Sequence, residues 1–350
     1  MAWIEHTQSG LRYVDRVKIG GRYKKVSTPI ERDTAQARRS AQERLLERIK
    51  AIEQPISEMT VNGAITAYMD RQIRESTRIT QLNGLKVLSG IYDTPISTVT
   101  APMLRRTLRE CGKPIKTVND RLPYIKGLFK WAYEYGYIPE DIASKIRKFP
   151  EHPKKKDPSE LYLEAAELLD LLDHLHGMAY HATYFLALTG LRIGEMTALE
   201  VSDVDQDHIH ITKSYSHISR DITEPKNQSS IRDVFIQPEL RTFLDEYLRW
   251  RKLYMMAKGI RTNLLFFSHH GNHYTESSLG YALREVDPKY HAHLLRHTHV
   301  ALLAEQGISL EAIARRLGHT DSKTTRAVYY HVTEKQKQKD EAALSVVKIL

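Results

Sequence analysis

Cysteine is almost absent from this 350-residue sequence, and long apolar runs are absent altogether. The single Cys111 excludes an internal disulfide and a zinc site built from several thiolates. No apolar stretch approaches the roughly 20 residues that cross a bilayer. Residues 1–10 have neither the basic start nor the apolar segment of a secretory signal. These absences favour a cytoplasmic protein without a membrane partner.

Acidic residues are scarce in the first part of the chain. Lys and Arg outnumber Asp and Glu by 12 to 7 in residues 1–55 and by 18 to 11 in residues 56–157, whereas residues 158–350 hold 22 against 25. The excess behind the net charge of +9 therefore precedes residue 158. This asymmetry indicates that the N-terminal modules bind the backbone of a polyanion. The sequence shows no carboxylate cluster suited to Mg²⁺, so no metal site is predicted.

Periodicity and breaker residues predict a multidomain α+β protein. Alternating residues around Gly20-Gly21 predict a hairpin of two or three strands, followed by a helix capped by Asp33. Thr60 or Asn62 and then Thr100 are predicted to cap later helices. The predicted segments are a small β-sheet and helix module in 1–54, an all-α domain in 55–150, a Pro- and Lys-rich linker in 151–160, a mostly α domain in 161–332 with a small antiparallel sheet, and a tail in 333–350.

Basic side chains mark three surfaces as candidates for DNA contact. A basic β-ribbon fits a DNA groove, although a solubilising extension would have a similar composition. The same alternative, a solvated face or loop, applies to the basic helix and the linker. The candidates are Arg12, Arg16, Lys18, Arg22, Lys24 and Lys25 on the hairpin, Arg121, Lys126 and Lys130 on a helix, and Lys154, Lys155 and Lys156 on the linker.

The stretch HLLRHTHVALLAEQGISLEAIARRLGHTDSKTTRAVYY, which starts at His293, concentrates residue types suited to cutting a phosphodiester. Tyrosine is a weak nucleophile near neutral pH because its pKa is about 10, so such a site needs a base and several cationic donors. His293 and Arg296 share a helical face, and Gly318 is predicted to end a helix before His319. Tyr329 has an immediate competitor in Tyr330.

Two further candidates precede that stretch. Arg192, in TGLRIGEM, is predicted to start a helix beside Glu195, where its fork suits two phosphate oxygens. Lys226, in EPKNQSSIRDV, is predicted to lie between the second and third of three short strands in residues 207–236. Each of these residues alone is also compatible with an ordinary structural role.

The order of these motifs resembles the tyrosine recombinase family, in particular the phage and transposon integrases, over roughly residues 158–333. Residues 116–138 are similar to the core-type DNA-binding domain of that family, and residues 1–54 look like its arm-type module. The resemblance implies that Arg192 and Arg296 bind the phosphate and that Lys226 is the general acid. It further implies that His293 and His319 position the phosphate, that Glu195 supports the site and that Tyr329, in the pattern Tyr-x-His-aliphatic, is the nucleophile.

The implied activity is site-specific recombination through a 3′-phosphotyrosine intermediate, without metal or nucleotide cofactor. The implied partners are double-stranded attachment sites, a homotetramer on DNA and, as an open question, a directionality or DNA-bending protein. The alternatives are a type IB topoisomerase-like enzyme and a DNA-binding regulator. A zinc hydrolase using His293 and His297 is disfavoured because Leu294 occupies the position of the usual glutamate. The tail 333–350 either contacts a neighbouring protomer or packs on its own domain.

Overall fold

The computed structural model describes residues 2–7, 10–19, 22–53, 59–71, 73–151, 157–223, 231–318 and 323–347. Several predictions lie outside the described residues: those for the turn Gly20-Gly21, for Lys154, Lys155, Lys156, Lys226 and His319, and for the side chains of Lys18, Arg22 and Lys24. The chain forms two compact units, Met1–Pro153 and Lys154–Leu350. The fold is mostly helical with small antiparallel sheets, as the sequence predicts.

The first unit begins with a three-stranded antiparallel sheet. Its strands β1 (Trp3–Thr7), β2 (Gly10–Ile19) and β3 (Arg22–Ile30) lie in sequence order, and helix α1 (Ala35–Glu53) packs against β2 and β3. The prediction that Asp33 caps α1 is wrong. Thr34 Oγ1 accepts from the Ala37 amide at 3.2 Å, whereas Asp33 forms an ion pair with Arg38 at 2.6 Å. The Asp33 carboxylate binds the Arg38 guanidinium instead, and the hydroxyl of Thr34 accepts the hydrogen bond from the first turn of α1.

The remainder of the first unit is helical, with helices α2 (Val61–Met69), α3 (Glu75–Leu85), α4 (Ala101–Glu110) and α5 (Ile115–Glu134). Thr60 caps α2 and Thr100 caps α4, each by accepting from the amide three residues later, which confirms both predicted caps. Pro123 lies inside α5 without ending it. Leu88, Leu104, Ile125 and Phe129 are among the fully buried residues of the core.

The second unit surrounds α7 with helices. Its helices are α6 (Ala165–Asp173), α7 (Gly177–Thr189), α8 (Ile193–Ala198), α9 (Pro238–Lys258), α10 (Glu276–Val286), α11 (Ala292–Glu305), α12 (Leu310–Leu317) and α13 (Lys323–Ser345). Phe185 and Leu186 of α7 and Tyr247 of α9 belong to the main core. Most residues of α11 are buried, including polar ones, so this helix brings polar side chains into the interior.

The strands of the second unit differ from the predicted three. Strand β4 (His208–Ile211) pairs with β7 (Arg232–Phe235), and β5 (Ser214–Ser216) pairs with β6 (Asp221–Thr223). In the described parts of residues 207–236, four strands therefore form two separate two-stranded ladders. A strand of three residues is too short to be recognised from the alternation of apolar and polar residues. Lys213, between β4 and β5, forms an ion pair with Asp203 at 3.1 Å.

Helix α13 continues across the predicted boundary at residue 332. Thr333 Oγ1 donates to the Tyr329 carbonyl at 3.1 Å, and Lys335 pairs with Glu164 of the same unit. The predicted tail therefore begins inside a helix, and its contact with another protomer stays a prediction. None of the helices in the described ranges is long and apolar enough to cross a membrane.

Candidate active site

The turn between α7 and α8 positions Arg192. Gly190 ends α7 in the left-handed region, with φ of 66°, and Arg192 then occupies the N-cap position of α8. The Arg192 amide donates to Glu195 Oε2 at 2.9 Å, and its guanidinium donates to Oε1 at 2.7 Å. The Arg192 side chain remains 37% exposed. It is therefore oriented by Glu195 and still accessible to a phosphate.

Glu195 also binds a second arginine, Arg232, which sequence reasoning missed. Arg232 is the first residue of β7, and its guanidinium donates to both oxygens of Glu195, at 3.1 and 2.9 Å. Burial raises the pKa of Glu195, but the hydrogen bonds and charges of Arg232 and Arg192 lower it more, so the carboxylate stays ionised. The sequence carried no specific signal for this contact, because an arginine at a strand end is common.

Arg296 lies on α11 and is only 1% exposed. Its guanidinium donates to the carbonyl oxygens of Gly190 and Leu317, the second at 2.8 Å. Burial and then the charges of Arg192 and Arg232 lower its pKa to about 9, which Glu195 partly opposes. Arg296 is therefore charged at neutral pH and joins the end of α7 to the end of α12. We call Arg192, Glu195, Arg232 and Arg296 the arginine cluster.

His293 lies one helical turn before Arg296. Desolvation and the charge of Arg296, with smaller effects of His291 and Arg192, lower the pKa of His293, so the neutral imidazole dominates at pH 7. The His293 ring lies 4.6 Å from the ring of His297, measured between centroids. A neutral imidazole next to two arginines is able to accept or pass on a proton.

A buried pair, His299 and Arg316, contacts the arginine cluster, because the Arg316 carbonyl accepts from Arg232 Nε at 2.7 Å. His299 Nδ1 donates to the Ala187 carbonyl at 2.7 Å, and Nε2 accepts from Arg316 Nε at 3.1 Å, which fixes a neutral tautomer. Burial lowers the pKa of His299 to about 3. Arg316 also donates to the Phe235 carbonyl at 2.7 Å. The pair links α7, β7, α11 and α12, and neither residue was predicted to belong to the site.

Tyr329 and Tyr330 occupy different environments on α13. Tyr329 is half-buried and packs against a core cluster that includes Tyr162, Val300 and Leu317, whereas Tyr330 is 59% exposed. Their ring planes are 83° apart. Of the two, Tyr329 faces the interior of the domain that carries the arginine cluster.

The predicted DNA-contact residues that the structure describes lie in the first unit. Arg16 and Lys25 are directly opposite each other on β2 and β3, and Arg12 follows the same alternation, so all three lie on one face of the sheet. On α5, Arg121 and Lys126 are half-buried and Lys130 is exposed. Within the described residues, no group of three or more His, Cys, Asp and Glu side chains is arranged to hold a metal.

The comparisons with known proteins identify integrases. The family model described as "Phage integrase family" matches residues 162–336. A prophage ps2 probable integrase of Lactococcus lactis subsp. lactis strain IL1403 is 26% identical over 376 residues, covering 96% of this chain and 97% of the relative.

Solved structures agree on the fold. A Tn1549 transposon integrase in complex with transposon right end DNA aligns with a TM-score of 0.61 at 20% identity, covering 80% of this chain and 99% of that one. A lambda integrase tetramer bound to a Holliday junction aligns with a TM-score of 0.57 at 16% identity, covering 91% and 96%. At these identities the structural likeness establishes the fold alone.

Proposed function

The chain belongs to the phage integrase family and is a tyrosine-type site-specific recombinase, and we propose that it integrates or excises a prophage or another mobile element. The observation that carries this proposal is the arginine cluster. Arg192 and Arg232 bind one ionised carboxylate, and Arg296 interacts electrostatically with the same group, which leaves a net positive charge at this site of the second unit. Such preorganised donors stabilise the charge that develops on a phosphate during strand cleavage.

The proposed roles follow from exposure and chemistry. The accessible Arg192 binds nonbridging phosphate oxygens, and the buried Arg296 contributes positive charge. Glu195 orients Arg192. His293 and His319 position the phosphate and assist proton transfer, as the family resemblance implies.

The proposed reaction is a transesterification. The Tyr329 hydroxyl gives its proton to one of the two site histidines, His293 or His319, and attacks phosphorus, while the bond to the 5′ oxygen breaks and Lys226 protonates that leaving oxygen. The resulting 3′-phosphotyrosine conserves the energy of the phosphodiester. A 5′ hydroxyl from a partner strand then attacks the same phosphorus and releases Tyr329. None of these steps requires a metal or nucleotide cofactor.

We further propose that the N-terminal modules bind double-stranded attachment sites. Arg12, Arg16 and Lys25 share one face of the sheet, where Glu5 pairs with Lys25 at 2.7 Å, and we propose that this predominantly basic face meets the DNA backbone. The lambda integrase that shares this fold is a tetramer on a Holliday junction, which supports a homotetramer here. The proposed DNA contacts are shared by the arm-type module 1–54, the core-type domain 55–150 and the linker 151–160. The domain 161–332 is proposed to catalyse strand cleavage, and the reaction is proposed to take place in the cytoplasm.

A covalent trapping experiment tests this function. The full-length protein is incubated with a pool of randomised nicked duplexes, and detergent-resistant protein–DNA adducts are isolated and sequenced. We expect wild-type protein and Tyr330→Phe to form adducts on one enriched sequence and Tyr329→Phe to form none. An adduct lost only in Tyr330→Phe would overturn the assignment of the nucleophile.

The remaining outcomes separate the rival functions. A wild-type protein that forms no adduct would favour a DNA-binding regulator. Relaxation of supercoiled plasmid without exchange between two duplexes carrying the enriched sequence would favour a type IB topoisomerase-like enzyme. We expect a chelator to leave adduct formation unchanged. Loss of the adducts in the presence of a chelator would contradict the metal-free reaction.

A further inference from the structure

We propose that Arg232 is a positioning residue of this site, which holds the Glu195 carboxylate in the orientation that aims Arg192 at the phosphate. The inference rests on the proposed function, because it assigns Arg232 a part in stabilising the cleaved phosphate. It concerns a residue that meets Glu195 across 37 positions of sequence.

The first support is the hydrogen bonding of Glu195. Oε1 accepts from the guanidinium groups of Arg192 at 2.7 Å and Arg232 at 3.1 Å. Oε2 accepts from the Arg192 amide at 2.9 Å and from Arg232 at 2.9 Å. A carboxylate has about four lone-pair positions, and four donors occupy them here. The two arginines therefore determine the orientation of the carboxylate together, and Arg192 alone provides half of the bonds.

The second support is the difference in exposure between the two arginines. The side chain of Arg232 is 7% exposed, and that of Arg192 is 37% exposed. Arg232 directs NH1 and NH2 to Glu195 and Nε to the Arg316 carbonyl at 2.7 Å. Its fork thus faces the protein, whereas Arg192 remains accessible. Arg232 therefore acts through Glu195, and Arg192 is the residue that reaches the DNA.

The third support is the anchoring of Arg232 itself. The carbonyl that accepts from Arg232 Nε belongs to Arg316, whose own guanidinium is held by His299 Nε2 and by Gln237 Oε1 at 2.7 Å. These bonds join β7 to α12 and α11. The Arg316 carbonyl therefore holds Arg232 in position, and Arg232 is able to hold the Glu195 carboxylate in one orientation.

Without Arg232, a buried carboxylate would lose two of its four hydrogen bonds. Glu195 is 4% exposed, and its burial by itself raises its pKa, so an uncompensated Glu195 would tend to take up a proton. A protonated Glu195 holds Arg192 less firmly. We therefore expect the loss of Arg232 to weaken phosphate stabilisation through Arg192 although both Glu195 and Arg192 are present.

The test compares two substrates in single-turnover adduct formation by the full-length protein. One is the duplex enriched in the trapping experiment, and the other carries a neutral methylphosphonate at the scissile position. Arg232→Met should lower the rate on the phosphate about tenfold to a hundredfold, the usual effect of removing a supporting partner. The rate on the methylphosphonate should change little, because that group carries no negative charge. Arg232→Lys, which retains the charge but not the fork, should give an intermediate loss.

The matched control is Arg251→Met, which removes another buried arginine that donates to the backbone carbonyls of Thr262 and Leu264. It should lower thermal stability without changing the ratio of the two rates. If Arg232→Met lowers both rates equally, its role is purely structural and the inference is wrong. If Arg232→Met does not fold, the ratio measured for Arg232→Lys decides by the same criterion. A wild-type protein without adducts would instead contradict the proposed function.

Discussion

In the second unit the arginine cluster is held by hydrogen bonds, whereas helix α13, which carries Tyr329, is held mainly by apolar packing. Glu195 accepts four hydrogen bonds from two arginines, and Arg296 binds two backbone carbonyls. On α13, Val328 and Val332 are buried in a cluster with Val300 and Leu317. The two halves of the site thus depend on different forces.

The difference lies in directionality. Hydrogen bonds between charged groups fix distance and angle together, so neighbouring protein groups set the positions of the cations. Apolar packing is non-directional, so it selects which face of α13 turns inward but does not fix distances and angles as hydrogen bonds do. Substitutions in the cluster should therefore change transition-state stabilisation, and substitutions on α13 that leave the Tyr329 hydroxyl in place should change only the position of that hydroxyl.

The largest expected effect is the loss of a cluster arginine. Arg192→Ala or Arg296→Ala should each lower the rate of adduct formation by roughly 10²–10³, the usual effect of removing one preorganised donor. DNA binding, measured by gel shift, should remain largely intact. Arg249→Ala, which removes an exposed arginine of α9, is the control and should cleave at nearly the wild-type rate. Recombination by either cluster variant at the wild-type rate would show that the site assignment is wrong.

The second prediction concerns Gly190, whose carbonyl accepts a hydrogen bond from Arg296. Gly190 and Gly259 both end helices, with φ of 66° and 64°, so alanine at either site costs about 1–2 kcal/mol of conformational strain. A Cβ at Gly190 would also lie 2.5 Å from His299 and 2.6 Å from Leu317, whereas a Cβ at Gly259 would meet nothing within 4 Å. The overlap should cost a further ~1–3 kcal/mol.

Urea unfolding of Gly190→Ala and Gly259→Ala measures that difference. Gly190→Ala should have the lower free energy of unfolding, and it should also cleave more slowly because the Gly190 carbonyl would shift relative to Arg296. Equal free energies for the two variants would mean that packing around the cluster is looser than the contacts indicate.

The smallest effect is expected on α13. Lys335 pairs with Glu164, but both side chains are about half exposed, so Lys335→Ala should cost at most ~1 kcal/mol, and less in high salt. The pair lowers the pKa of Glu164. Its contribution is therefore complete above the unfolded-state pKa of about 4.3 and should disappear as the pH falls through the lowered folded-state pKa.

Thermal unfolding of wild-type protein and Lys335→Ala between neutral and acidic pH provides the measurement. Lys337→Ala, which breaks a weaker pair with Glu341 on the same helix, is the control. If Lys335→Ala lowered the stability at neutral pH as much as Gly190→Ala does, charge and not apolar packing would hold α13 in place.

Features that depend on residues close in sequence were predictable. Thr60 and Thr100 cap helices because their hydroxyls accept from amides three residues later. Arg192 starts α8 through an equally local contact, since its amide donates to the carboxylate of Glu195 three residues later. The strands in residues 207–236 were not fully predictable. Segments of three residues carry too little alternation, and their pairing depends on the neighbouring strand.

The sequence by itself determined the residue types of the site, the family resemblance and the helix starts at Thr60, Thr100 and Arg192, because these rest on composition, motif order and contacts within about one helical turn. Only the tertiary structure decided that Arg232 shares Glu195 with Arg192 and that His299 supports Arg316. Those pairs are distant in sequence and meet because helices α7, α11 and α12 pack together with β7. No local pattern specifies which buried arginine a buried carboxylate will bind; packing specifies it, since an unpaired buried charge is unfavourable.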